Sequence, residues 1–276
     1  MPELPEVETV RRGLESLVVG KTIEKVTVNL ARIIRTPDDV ARFKLMLEGL
    51  TIDEVARRGK YLLIGIGPYT LVSHLRMEGR YGMYSSDEPV EKHTHVIFRF
   101  TDGTELRYKD VRQFGTMDIL PRGEYSSLPG LALLGPEPLA DSFTAAVLRE
   151  QAHKRRSGKL KALLLDQTFV AGLGNIYVDE VLFQAGLHPE ASITELTEEQ
   201  IERLHGSIVD VLSKSVALGG SSIKSYVNGY GQEGGMQHEL HVYGRENTPC
   251  PKCGTLIEKT RVAGRGTHFC PTCQKR

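Results

Sequence analysis

No apolar run in these 276 residues reaches the ~18–20 residues that a membrane-spanning helix needs. The opening Met-Pro-Glu-Leu-Pro-Glu-Val-Glu is acidic and lacks the basic start and apolar core of a secretory signal. A cytoplasmic protein is expected on both counts. Neither charge is in excess: Lys plus Arg total 35, Asp plus Glu total 35, and the pI is about 7.1. Many nucleic-acid-binding domains are strongly basic, so bulk charge does not announce such a partner. Internal repeats and low-complexity tracts are absent. With 40% hydrophobic and 25% charged residues, disorder is not indicated, and the length allows two domains of ordinary size.

What charge there is comes in patches. His153-Lys154-Arg155-Arg156-Ser157-Gly158-Lys159-Leu160-Lys161 carries five Lys and Arg side chains and no acid. From Pro249 to Arg276, Lys252, Lys259, Arg261, Arg265, Lys275 and Arg276 face a single acid, Glu258. Screening confines such fields to roughly 10 Å, so local patches bind phosphates even when the total cancels. A solvated surface has the same composition.

The spacing of Val7, Val10, Leu14, Leu17 and Val18 predicts a first helix. Pro5 is tolerated in its first turn, and Glu6 and Glu8 suit the positive end of its dipole. From about Lys21 to Leu120 the pattern becomes short alternating runs, such as Val96, Phe98 and Phe100 before Thr101-Asp102-Gly103 and Leu106 and Tyr108 after it. An Asp-Gly between alternating strands marks a hairpin. With no helices between the strands, an antiparallel sandwich is expected. Residues 135–140, Gly-Pro-Glu-Pro-Leu-Ala, read as a linker. Helices are then expected at Lys159 to Gln167, Asn175 to Ala185 and Glu198 to Leu218, the last opened by a capping box of Thr197 and Gln200. Four glycines between Gly229 and Gln237 read as a mobile loop. The fold class is α+β. Residues 1–134 form an N-terminal domain, 141–245 a helical domain and 246–276 a metal module.

All four cysteines lie in Cys250-Pro251-Lys252-Cys253 and Cys270-Pro271-Thr272-Cys273, with sixteen residues between the pairs. Two such turns complete a tetrahedral zinc site. The alternative, two disulfides, is disfavoured in a reducing cytosol. Four thiolates leave no open position, so one zinc ion is expected in a structural role, holding the Arg261–Arg265 hairpin in a segment too short for its own core. Taken alone, this module also fits a non-catalytic nucleic-acid-binding protein.

The other end of the chain points to an enzyme. Pro2-Glu3-Leu4-Pro5-Glu6-Val7-Glu8-Thr9-Val10 resembles the N-terminal signature of the formamidopyrimidine-DNA glycosylases. Further stretches fit the same family in order: Arg58-Gly59-Lys60, His74 to Gly79, Asp110 to Gly115, Ala171 to Tyr177, Val242 to Arg245, and the zinc segment. The resemblance implies a monomeric bacterial repair enzyme that excises oxidised purines from duplex DNA and cleaves the strand. A sister branch removes oxidised pyrimidines by the same proline chemistry; Pro2 to Pro5 with Met77, Arg112 and Phe114 favour the purine branch.

It also implies roles. Met1 is removed and Pro2 becomes a secondary-amine nucleophile. Glu3 moves protons at the sugar, Glu6 orients the amine, and Lys60 contacts phosphate and assists catalysis. Met77, Arg112 and Phe114 fill the gap left by an extruded base, Arg112 reading the orphaned partner. On pattern alone Met77 and Phe114 would be core residues, and Glu3, Glu6 and Glu8 helix-terminal charges. Asn175 belongs to a helix–two-turns–helix element and, with Arg265 on the zinc hairpin, grips the backbone; His74, Tyr243 and Lys259 are further contacts. Backbone amides of Ser221, Ser222, Ile223, Lys224, Ser225 and Tyr226 would read the damaged base.

Overall fold

The computed structural model describes residues 1–155, 157–221 and 234–276. They form two compact units, Met1–Ala132 with Leu218–Gly235, and Leu133–Ala217 with Met236–Arg276.

The first unit opens with helix α1 (Leu4–Val18) and continues as β1 (Ile23–Val28), β2 (Ile34–Thr36), α2 (Val40–Leu47), β3 (Ile52–Arg58), β4 (Tyr61–Ile66), β5 (Tyr69–His74), β6 (Arg80–Ser85), β7 (Thr94–Phe100), β8 (Thr104–Lys109), β9 (Thr116–Pro121) and a last turn, α3 (Pro129–Ala132). The strands make a four-stranded sheet, β1-β7-β8-β6, and a five-stranded sheet, β2-β9-β5-β4-β3. All pairings are antiparallel except β2 with β9, the short strand entering parallel. The Asp102-Gly103 turn joins β7 to β8 as the alternation predicts, pairing Phe98 with Leu106. Phe98, Phe100 and Leu106 from one sheet and Leu62, Ile64, Leu71 and Met117 from the other share one apolar core. The helical stripe Val7, Val10, Leu14 and Val18 joins it, with α1 packed against β3 and β4.

The second unit holds α4 (Ala145–His153), α5 (Leu160–Leu165), α6 (Asn175–Ala185), α7 (Glu198–Ala217) and the hairpin β10 (Glu258–Val262) and β11 (Arg265–Phe269). Its turn between α5 and α6 is tied by Gln167, whose Oε1 accepts from the Gly172 N–H at 2.9 Å while its Nε2 donates to the carbonyls of Leu165 and Leu173. The capping box opening α7 is present: Thr197 N–H donates to Gln200 and Gln200 N–H to Thr197, at 2.8 and 3.2 Å.

Among the described residues, the cations of the basic stretch 153–161 are paired or buried. Lys161 is fully buried, and Lys154, Arg155 and Lys159 pair with Glu150, Asp166 and Glu190. Arg156, the loop expected at Gly229 and Gly231, and Ser222 to Tyr226, expected to read the damaged base, lie outside the described residues.

Candidate functional site

Pro2 precedes α1 and is buried, with Met1 outside it at 46% exposure. Glu3 and Glu6 are each 2% exposed and form the helix's capping box. The Glu3 N–H donates to Glu6 Oε2 at 2.8 Å, and the other oxygen, Oε1, accepts from the Ser221 N–H at 2.7 Å. Gly220 makes that approach possible: its φ is +78°, and a Cβ there would meet Glu6 Oε1 at 2.8 Å. Glu6 thus links the N-terminal end of α1 to Ser221.

Lys60 is buried in the turn between β3 and β4. Arg57 ties that turn to α1, donating from Nε to Glu8 at 3.0 Å and from Nη1 to the Gly59 carbonyl at 2.8 Å. Burial would raise the Glu8 pKa, but hydrogen bonds from Arg12 and Arg57 outweigh it and hold the carboxyl below its usual range. His74 ends β5 with its ring edge-on to Tyr61, centroids 4.6 Å apart. Burial, reinforced by Arg76 and Lys60, pushes its pKa down to about 3. Its Nδ1 accepts from the Arg76 N–H at 3.0 Å, so a neutral ring carries its proton on Nε2, a donor suited to phosphate.

Met77 is half-buried, whereas Arg112 and Phe114 are exposed. Phe114 at 52% is therefore not a core residue. The Arg112 guanidinium lies over its ring, 5.0 Å from the centroid.

In the second unit, Asn175 begins α6 and its Nδ2 donates to the Gly266 carbonyl at 3.0 Å, next to Arg265. The same carbonyl accepts from Lys161 Nζ at 3.0 Å, and Lys161 pairs with Asp179 at 2.6 Å, both fully buried. The second Asp179 oxygen accepts from the His268 N–H at 2.9 Å. Asn175 and Arg265 are therefore held from one buried ion pair, and Arg265 projects exposed from the start of β11. Glu180, beside Asp179, accepts from the consecutive N–H groups of His241, Val242 and Tyr243, each at 2.9 Å. Burial opposes this charge, yet His241 and those amides hold its pKa low. Lys259, expected at phosphate, pairs with Glu246 at 2.8 Å.

The four cysteine sulfurs lie within 4.8 Å of one another, with Cys253 and Cys270 at 3.5 Å and Cys250 and Cys273 at 3.9 Å. All four are free thiols. Tetrahedral ligands about 2.3 Å from zinc stand roughly 3.8 Å apart, so the set fits the ion and excludes the disulfide alternative. N–H groups of Lys252 and Cys273 point at sulfurs from 3.4 Å. Phe183, Val242 and Ile257 supply the small core around Cys250 and Cys270.

Sequence reading missed Arg57, Lys161, Asp179 and Glu180 as members of these arrangements. Two acids inside the otherwise apolar α6 were the one available signal.

Family models agree with this layout. One described as the formamidopyrimidine-DNA glycosylase N-terminal domain matches residues 1–117, the H2TH domain of the same enzymes matches 134–227, and a zinc finger found in FPG and IleRS matches 248–276. The formamidopyrimidine-DNA glycosylase of Brevibacillus brevis is 60% identical, covering 100% of this chain and 99% of its own. That of Halalkalibacterium halodurans is 58% identical, with 100% of both covered. Wild-type Lactococcus lactis Fpg in complex with DNA containing N7-benzyl-Fapy-dG superposes with a TM-score of 0.91 at 47% identity, covering 100% of both chains. The Lactococcus lactis enzyme with DNA containing an abasic site gives 0.91 at 46%, covering 99% and 100%. With its β-sandwich, helix–two-turns–helix and zinc hairpin, this chain belongs to the formamidopyrimidine-DNA glycosylase family.

Proposed function

We infer that the protein is a bifunctional DNA glycosylase and AP lyase that removes oxidised purines (8-oxoguanine and formamidopyrimidines) from duplex DNA. The observation that carries this is the buried Pro2 beside the capping carboxylates Glu3 and Glu6, in a chain collinear with the family from end to end. The Lactococcus lactis relative is bound to DNA containing N7-benzyl-Fapy-dG in one complex and to DNA containing an abasic site in another.

Once Met1 is removed, Pro2 is a secondary amine near the α-amino range of ~7.7–8.0, leaving a useful unprotonated fraction at neutral pH. It attacks deoxyribose C1′, and the glycosidic bond breaks with its electron pair leaving on the base. The amine gives up its proton, the ring oxygen gains one from Glu3 as the C1′–O4′ bond opens, and an iminium remains between Pro2 and C1′. The iminium acidifies the C2′ proton. Its removal expels the 3′ phosphate, a second elimination expels the 5′ phosphate, and water hydrolyses the iminium to release Pro2. An oxygen nucleophile would form no iminium and open no such route.

Glu6 orients Pro2, and Lys60 and His74 take phosphate around the lesion. Met77, Arg112 and Phe114 fill the vacated stack. Asn175, Arg265, Tyr243 and Lys259 grip the backbone, Lys259 by exchanging Glu246 for phosphate, and 221–226 read the base. The cysteine-bound zinc supplies rigidity to the hairpin. We assign the protein to the cytoplasm as a monomer. The division into 1–134, 141–245 and 246–276 is supported by the segments that the family models match.

Borohydride reduction of the iminium tests the mechanism. Wild-type protein should become covalently trapped on 8-oxoguanine duplex, whereas Pro2→Gly should trap orders of magnitude less while staying folded. Undiminished trapping by protein with a blocked Pro2 would overturn it.

A further inference from the structure

The turn that carries Arg112 and Phe114 is built around one carboxylate. Asp110 is 1% exposed. Its Oδ1 accepts from the Arg112 N–H at 3.1 Å. Its Oδ2 accepts from the Gly115 N–H at 2.9 Å and from the Tyr108 hydroxyl at 3.3 Å. The Asp110 backbone is pinned as well: its N–H donates to the His93 carbonyl at 3.1 Å, and His95 Nε2 donates to its carbonyl at 2.8 Å. Between the two ends of the carboxylate's reach, Gln113 is in the left-handed region at φ 59°, a conformation that costs energy in a side-chain-bearing residue and persists only where its surroundings impose it.

Tyr108 connects this turn to the one that carries Met77. A Cβ built at Gly115 would stand 1.7 Å from the Tyr108 hydroxyl oxygen, and one at Gly79 would stand 2.3 Å from it. Both turns therefore close on the same fully buried phenol, and the Gly79 N–H closes the Met77 turn on the Leu75 carbonyl at 3.0 Å.

We propose that Asp110, seated on Tyr108, is the positioning residue for opposite-base discrimination, holding Arg112 and Phe114 in register with Met77. The inference rests on the reading of Arg112 as the group that meets the orphaned base. Asp110 touches no DNA in this role. It works by fixing a turn whose two exposed side chains stack on each other.

The test is the ratio of single-turnover excision rates, at saturating enzyme, for 8-oxoguanine opposite cytosine and opposite adenine. One good side-chain contact to a base corresponds to about fivefold discrimination or more. Asp110→Asn keeps the shape but turns an amide N–H₂ toward at least one donor, so the ratio should collapse by about that factor. Arg112→Ala is the reference and should flatten the ratio equally. An unchanged ratio in Asp110→Asn, with both rates intact or both lowered alike, overturns the proposal while the Arg112 reading stands, provided that Arg112→Ala flattens it. If Arg112→Ala leaves the ratio unchanged, the reading itself falls and the proposal with it. Should Asp110→Asn fail to fold, Gly115→Ala displaces the same turn by crowding the Tyr108 hydroxyl and Asp110 Oδ2, from which its Cβ would stand 1.7 and 3.2 Å, while the carboxylate itself is retained. A wild-type ratio there overturns the proposal.

Discussion

His74 should set part of the protein's acid sensitivity, because it is held neutral where the unfolded chain would charge it. The ring is 7% exposed, and burial, with Arg76 and Lys60 adding repulsion, brings its pKa to about 3 from an ordinary value near 6.5. A depressed folded-state pKa means that the stabilisation is complete above about pH 6.5 and is lost as the pH falls toward the folded value. At pH 5 the folded ring is still neutral, while the unfolded ring has taken up a proton at 1.5 pH units below its midpoint. At about 1.4 kcal/mol per unit, this favours unfolding by about 2 kcal/mol. His74→Gln keeps an acceptor for the Arg76 N–H but cannot titrate. Urea unfolding of both proteins by circular dichroism, at pH 7.5, 6 and 5, reads the effect. Carboxylates and thiols that titrate alike in both cancel in the difference. The wild type should lose about 2 kcal/mol more than the variant between pH 7.5 and 5. Parallel acid limbs would refute the account.

Lys161→Met should destabilise the helical unit by about 3–5 kcal/mol, because it strands the buried Asp179 charge. Adding Asp179→Leu should restore part of the loss, and equal midpoints in urea for the single and double variants would contradict this. Cys273→Ser should lower zinc stoichiometry and abolish binding to damaged and undamaged DNA alike while the sandwich remains folded. Normal lesion binding with loss of only the chemical step would rule out a structural ion. Arg265→Ala should retain zinc and weaken both DNAs, with a salt dependence shallower by about one ion, as measured by titration at several salt concentrations.

Elements whose apolar residues recur with a helical period over three or more turns were legible in the sequence. Helices α6 and α7 lie within one residue of their predicted bounds, and α1 contains the whole Val7 to Val18 stripe. Helix α2 was not read, because its eight residues bury only Phe43 and Leu47 and leave Leu45 exposed. Helix α4, burying only Leu148 and Ala152, was equally faint. The zinc ligands announced themselves by spacing, since adjacent turns supply each pair. The N-terminal signature was legible only by its resemblance to a family, for Pro2, Glu3 and Glu6 have no distinctive pattern of their own. Lys161 was misread as surface charge because its partners, Asp179 and the Gly266 carbonyl, lie 18 and 105 positions away. No periodicity reports such a meeting. Asp110 lies within a motif, but two of its donors come from a turn whose shape the residues themselves do not disclose, and the third is the Tyr108 hydroxyl on β8.

The hydrogen bond from Ser221 to Glu6 spans 215 positions, and this separation orders events in time. The loop-closure cost grows only as the logarithm of length, so the long span is affordable once the chain exists. During synthesis it does not yet exist. The nascent sandwich can assemble strands β1 to β9 while the Glu6 carboxylate still lacks its second donor. That donor arrives only after five further helices, α3 to α7, have left the ribosome. A polypeptide arrested before residue 221 would carry Pro2, Glu3 and Lys60 but an unfinished Glu6. Completion of the Glu6 contact thereby waits for helices α3 to α7, while the hairpin of β10 and β11 is still to be made.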